Sequence, residues 1–189
     1  SGFKLAIGYC HLHGLGNFVK DEKKGYNIIN KCIKTNKDDS LAQDLMGRMY
    51  EYGQGVTKDD KKAVEWYTKA AEQGHARGQC NLGYMYKNGY GVTKDYKKAV
   101  EWYTKAAEQG HARGQYNLGV MYQNGDGVTM DEAKAVEWYT KAAEQGYAKG
   151  QCNLGYMYAN GEGITMDYKK AVEWYTKSAE KGYAHGQCN

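Results

Sequence analysis

The sequence contains no proline, so its turns fall to its 25 glycines. It also lacks a long apolar run, and a mean hydropathy of −0.85 argues against a membrane span. Charge of neither sign dominates: 26 Lys and Arg against 22 Asp and Glu leave a net charge of +4. Lysines come as pairs at 23–24, 61–62, 97–98 and 169–170 at the start of helix B patterns, and Glu65, Glu101, Glu137 and Glu173 balance them. That pattern reads as a solvated helix face with i, i+4 pairs, not as a nucleic-acid patch. No nucleophile, base and acid recur or converge, so the chain reads as a non-enzyme without a cofactor. Cys10-His11-Leu12-His13 carries metal-binding atoms, but no second cluster completes four ligands, so no metal site is expected. The loops from Asn124 and Asn160 hold acids and glycines without the calcium-loop ligand ladder.

What is present is a period. Trp66, Trp102, Trp138 and Trp174 recur every 36 residues, each inside a copy of AVEWYTK. A repeat of that length means stacked supersecondary units instead of one globular core, which puts function on an extended surface. Residues 62–97 and 98–133 match at 29 of 36 positions, and the differences fall at the phases of Cys80, Tyr84, Lys87, Tyr90, Lys94, Tyr96 and Lys97.

Each unit holds two helical patterns. Gln79, Leu82, Gly83 and Tyr86 share one side of a first helix, predicted over 75–88 and called helix A. Gly89 stands where a left-handed C′ residue is needed, and glycine pays no side-chain clash there. Asp95 is placed to N-cap a second helix, predicted over 96–109 and called helix B, with Ala99, Trp102, Tyr103 and Ala106 as its buried stripe. His75 and His111 become Tyr147 and Tyr183 in later copies, which reads as a flat packing residue at the turn. Small residues on both stripes admit close helix approach, while the large ones fill space between neighbouring pairs.

Residues 1–39 read as a diverged first repeat and 40–189 as regular ones, the last truncated, within one domain of about five repeats of 36 residues. Ile7 aligns with Leu82 and Ile28 takes the place of Trp, with an extra residue near Asn17 and two near Lys37. The chain begins inside a helix A pattern and stops at Gln187-Cys188-Asn189, which matches Gln151-Cys152-Asn153. It therefore reads as a piece of a longer protein, with Ser1-Gly2 as an expression remnant.

The recurring A-x-x-Q-x-x-L-G-x-M-Y-x-N-G-x-G-V-x-x-D-x-x-K-A-V-E-W-Y-x-K-A-A-E-x-G resembles the Sel-1-like repeat, a relative of the tetratricopeptide repeat. The match is close over 40–189 and loose over 1–39. The resemblance implies an all-α, right-handed α/α superhelical solenoid of stacked antiparallel helix pairs, and adaptor or scaffold work. A cysteine-rich branch of that family staples every repeat with a cysteine pair, a pairing this sequence lacks.

Cys80, Cys152 and Cys188 share one phase of helix A. A disulfide needs Cα atoms within about 7 Å, closer than like helices stack, so these three are expected to be free thiols. Cys10 and Cys32 lie on the two helices of the first repeat and could approach. Unpaired thiols favour a cytoplasmic setting; the compartment is otherwise open.

The face opposite the helix A stripe gives the candidate partner site. Arg77, Arg113 and Lys149 form one row, Asn81, Asn117 and Asn153 another, and Tyr84 and Tyr156 belong to a third that includes Tyr9, Arg48 and Val120. Asparagine amides can bond a peptide backbone, and Tyr and Arg are common interface anchors. The expected partner is a segment of another protein in a groove on the concave helix A side. Against this stand plainer roles: Asn88 and its copies as C-cap residues, the Asn81 row as bonds between helices, and the arginines as solvated charge. The alternative function is an architectural or self-associating module whose ends join.

Overall fold

The computed structural model describes residues 2–183. It divides into two compact units, residues 1–94 and 95–189. The first contains α1 (Gly2–His13), α2 (Glu22–Thr35), α3 (Ser40–Tyr52), α4 (Asp60–Glu72) and α5 (Ala76–Asn88). The second contains α6 (Tyr96–Glu108), α7 (Ala112–Asn124), α8 (Glu132–Glu144), α9 (Ala148–Asn160) and α10 (Tyr168–Glu180). No strand occurs among the described residues. Odd-numbered helices are A and even-numbered ones B, within a residue of the predicted bounds. Pairs α1–α2 and α3–α4 pack in the first unit, and α7–α8 and α9–α10 in the second. Successive pairs stack through α2–α3 and α4–α5, and through α6–α7 and α8–α9.

The starts of the B helices follow from one residue type. Asp21, Asp59, Asp95, Asp131 and Asp167 each accept a hydrogen bond from the backbone N–H three residues on, at 2.8–3.0 Å. This satisfies a donor that the helix leaves orphaned, typically worth about 1 kcal/mol. The bond to the Lys62 N–H lowers the Asp59 pKa, and that to the Lys134 N–H lowers that of Asp131. The following lysine turns back to the same aspartate, Lys62 to Asp59 at 3.4 Å and Lys134 to Asp131 at 3.2 Å. The cap carboxylate is already held at the helix start, and the lysine also faces a helix A ring, Tyr50 or Tyr122, at 5.4 and 5.3 Å.

The helix A ends need two glycines for different reasons. Gly89 has φ 74° and closes α5 through its N–H to the Met85 carbonyl. Gly91 is also left-handed, and a Cβ there would strike the backbone carbonyl of Asp60 at the start of the preceding helix B. The first glycine thus ends a helix, and the second lets neighbouring repeats touch.

In the first unit the core gathers Leu5, Leu12, Ile29, Ile33, Leu45, Met46 and Met49. In the second, Tyr139, Leu154 and Met157 are wholly buried. Trp102 was expected on the buried stripe of helix B, but it is half-buried, and Tyr103 is the buried ring. The indole lies at the stripe's edge, where Lys105, one turn on, sits 4.2 Å from its centroid. Lys69, Lys141 and Lys177 cover Trp66, Trp138 and Trp174 in the same way at 4.0–4.3 Å.

Cys10, Cys32 and Cys80 form no disulfide, so the first-repeat pair does not bond. Cys152 is disulfide-bonded, which corrects its reading as a free thiol. That reading assumed a partner on a regularly stacked like helix. Cys188, the third cysteine of that expectation, lies outside the described residues.

Candidate protein-interaction surface

Helix A carries a buried glutamine that ties each repeat to the one before. Gln79 Nε2 donates to the Ala71 carbonyl, Gln115 to Ala107 and Gln151 to Ala143, at 3.1–3.2 Å. These acceptors lie in the last turn of the preceding helix B, where carbonyls lack an intrahelical donor. The glutamine oxygen accepts in turn from the residue after its own helix B: Gln73 to Gln43 and Gln145 to Gln115, both 2.7 Å. In the last repeat that residue is Lys181, and the buried Gln151 Oε1 accepts no bond among the described residues.

On the face beyond this tie, the first unit holds a buried carboxylate. Asp44 of α3 has no exposed surface. It accepts from Arg77 Nε at 2.6 Å and from Asn81 Nδ2 at 2.8 Å, both on α5. Asn81 is itself buried, so it joins helices as the interhelical reading supposed. Arg77 keeps 35 % of its side chain exposed, while its Nη2 is buried and makes no hydrogen bond. His75, the N-cap residue of α5, makes no side-chain cap bond. Burial pushes its pKa down, with Arg77 adding to that and Asp44 and Asp39 opposing.

Tyr84 is 40 % exposed and meets Tyr90, 45 % exposed, with ring centroids 5.9 Å apart. Asn88 Nδ2 donates to the Tyr84 carbonyl at 2.8 Å, the C-cap role expected of it. Tyr9, in the same row, stacks on His13 at 4.4 Å. The His11 ring is buried against Phe18 at 4.8 Å.

The second unit uses other chemistry at the same phases. Tyr116 replaces Asp44, and its ring stacks on Tyr139 at 5.9 Å and Tyr147 at 5.4 Å. Burial, with Tyr183 and Tyr147 nearby, pushes its hydroxyl up to about 12. Tyr147 thus fills the flat packing role expected at the turn, whereas His111 Nδ1 caps α7 by accepting from the Gly114 N–H at 3.1 Å. Asn153 is buried beside Tyr139, and its Nδ2 closes no hydrogen bond of good geometry. Arg113 and Asn117 are half-buried, and Lys149 is exposed with its amine 5.8 Å from the Tyr183 ring. Tyr156 donates to Glu162 at 3.1 Å.

Sequence reading missed two features. Asp44 could have been found as a charge on an otherwise uncharged helix phase, the phase of Cys80, Tyr116 and Cys152. The coupling of Tyr84 to Tyr90 and of Tyr156 to Glu162 is the other: residues six apart, one on helix A and one in the loop, both at phases that vary between repeats.

A 36-residue unit of two helices with the N-G-x-G loop and the glutamine tie matches a known family model. The Sel1 repeat model covers residues 3–28, 40–75, 76–111, 112–147 and 148–183. The chain belongs to the Sel1 repeat family. Among solved structures it is similar to a Sel1 repeat protein from Oxalobacter formigenes at 37 % identity and TM-score 0.81, covering 95 % of this chain and 72 % of that one. It is also similar to c5321, a protective antigen present in uropathogenic Escherichia coli strains displaying an SLR fold. There the identity is 38 % and the TM-score 0.83, over 95 % of this chain but only 38 % of that one. Helicobacter pylori cysteine rich protein B shares 31 % identity at TM-score 0.53, over 66 % of this chain and 90 % of that one. A comparison with curated proteins finds no match. Sel1 repeat proteins are generally non-catalytic scaffolds that bind other proteins. No described helix is long and apolar enough to cross a membrane, and no group of three metal-ligating side chains gathers among the described residues.

Proposed function

We propose that this chain is a protein-interaction scaffold that holds a segment of a partner protein on its helix A surfaces. The observation that carries the reading is the coupling of variable positions. Near-identical repeats differ at the phases of residues 84 and 90, and in the structure those two side chains touch. A packing role would select one residue for every repeat; a surface that reads a partner gains from difference. Tyr84 with Tyr90 supplies an exposed aromatic anchor in the first unit, and Tyr156 with Glu162 a polar one in the second. Arg77 and Asn81 in the first unit, and Arg113, Asn117, Lys149 and Asn153 in the second, are the proposed partner-facing residues of each, the cations suited to acidic side chains.

The test is differential capture from a lysate by immobilised wild-type chain and by a Tyr84→Ala, Arg113→Ala, Tyr156→Ala variant of equal helicity. A partner lost with the variant supports the reading; equal capture by both removes it.

A further inference from the structure

The loop from helix A to helix B ends on lysine in the first unit and on methionine in the second. Lys20 pairs with Glu22 at 2.9 Å and Lys58 with Asp60 at 3.5 Å, each lysine reaching the first residue of its helix B. Met130 and Met166 stand at the same phase in the second unit. Glu132 still opens α8 as an acid, but the residue placed to pair with it is now a thioether. It is half-buried and forms no ion pair among the described residues. The residue after the helix A stop changes in step, from Gln54 and Tyr90 to Asp126 and Glu162.

Met130 is 61 % exposed and Met166 53 %. The exposure of Met130 is a property of the phase and not of a missing neighbour, because the loop of the following repeat already packs beside it. A Cβ on Gly163 would strike the backbone carbonyl of Glu132, two residues from Met130. That approach brings the loop 161–166 against the start of α8 and sets Glu162 and Met166 in one surface with Met130 and Glu132. The Tyr156 hydroxyl registers both acids: its hydrogen bond to Glu162 raises its pKa most, then the Glu162 charge and burial, and then Glu132.

We propose that this loop edge of the second unit docks a basic segment of a partner protein, whose lysine or arginine takes at Glu132 the place that Lys58 holds at Asp60, while apolar neighbours of that cation seat on Met130 and Met166. Charge complementarity names the occupant. Two neighbouring carboxylates, one of them stripped of the cation that its phase carries elsewhere, attract an ammonium or guanidinium group and repel an acidic segment. The flexible thioethers then fit themselves to the apolar side chains beside it. The inference rests on the scaffold reading only in taking another protein as partner; its surface is built on loops and adjoins the helix A rows at Glu162.

The probes are two synthetic peptides on the same leucines, one flanked by lysine and one by glutamate, titrated into the full chain while methionine methyl resonances are followed. The lysine peptide should shift Met130 and Met166 and bind about 3- to 10-fold tighter than the glutamate peptide, the range that a few exposed charge pairs support. Met130→Lys should rebuild the pair seen between Lys58 and Asp60 and weaken the lysine peptide by about 2- to 5-fold, read at Met166. Glu132→Gln with Glu162→Gln, which keeps an acceptor at both places, should erase the preference. Absence of shifts at both methyls overturns the proposal, as do equal binding of the two peptides and an affinity that Met130→Lys leaves unchanged. Concentration-dependent shifts at these methyls without peptide also overturn it, by naming a second copy as the occupant. Tyr84→Ala with Arg113→Ala should leave peptide binding unchanged, which separates failure here from failure of the helix A reading.

Discussion

Asp44 and Tyr116 occupy one phase of helix A, one in each compact unit, and hold their neighbours by opposite means. Asp44 is a buried charge gripped by Arg77 and Asn81 of the next helix A. Tyr116 is a ring between Tyr139 and Tyr147, with no charge involved. The repeat backbone accepts either, because the phase faces a neighbouring helix and needs only to be filled and satisfied. The difference lies in what failure leaves behind. Loss of the carboxylate strands donors away from water, whereas loss of the ring leaves a void.

The largest effect is therefore expected at Asp44. Asp44→Ala leaves the Asn81 amide and a partly exposed guanidinium without their acceptor and should cost about 2–3 kcal/mol in urea denaturation, discounted for the exposure of Arg77. Asp44→Asn, which keeps an acceptor and removes the charge, should cost about 1–2 kcal/mol. At the other junction Tyr116→Ala should cost roughly 2 kcal/mol, below a full aromatic truncation because the ring is only half-buried. Tyr116→Phe should fall within about 0.5 kcal/mol of wild type, since its ring does the packing. Equal sensitivity of the two sites to their conservative substitutions would break the contrast.

The architecture was legible because it is periodic: helix bounds, aspartate caps and left-handed glycines follow from local chemistry repeated every 36 residues. What was not legible depends on partners far along the chain. Asp44 is intelligible only with Arg77 and Asn81, 33 and 37 residues on. Counting i, i+4 places linked Lys61 to Glu65 and missed that the next lysine turns back to the cap carboxylate, Lys62 to Asp59 as Lys134 to Asp131. Trp102 was placed in the core on hydrophobicity, yet it lies half-buried beneath Lys105, and alanine and tyrosine fill the interior. The partner face was read from helix phase alone. Two of its asparagines proved to be buried, while the loop halves of the Tyr84 and Tyr156 pairs were out of reach of a helical wheel.

A smaller effect should come from the turn end of the same junctions, where polar satisfaction can be restored. Gln43 and Gln115 each receive a bond from a glutamine after helix B, and Gln151 does not, because residue 181 is lysine. Lys181→Gln should close the set and raise stability by about 0.5–1.5 kcal/mol, read as a higher urea midpoint at unchanged slope. No gain would mean that the buried oxygen costs nothing, and that the tie needs only its donor half.

The smallest effect separates the two junctions by pH. His75 lies beside the Asp44 bracket, while the later turn has Tyr147 in its place, which does not titrate near neutrality. Burial first, and Arg77 second, lower the His75 pKa from 6.5, so between that lowered value and 6.5 the unfolded chain binds more protons than the folded one. The contribution is complete above pH 6.5 and is lost as pH falls toward the folded value. His75→Tyr should flatten the stability profile below pH 6.5, leaving the part owed to His13, whose pKa burial, Arg48 and Lys20 also lower. Asp44→Asn should do the reverse. It removes a carboxylate that favours the imidazolium and leaves Arg77 opposing it, so the His75 pKa drops further and the slope below pH 6.5 steepens. A profile unchanged by both substitutions would show that the histidine does not sense the bracket, and that the two junctions differ in packing alone.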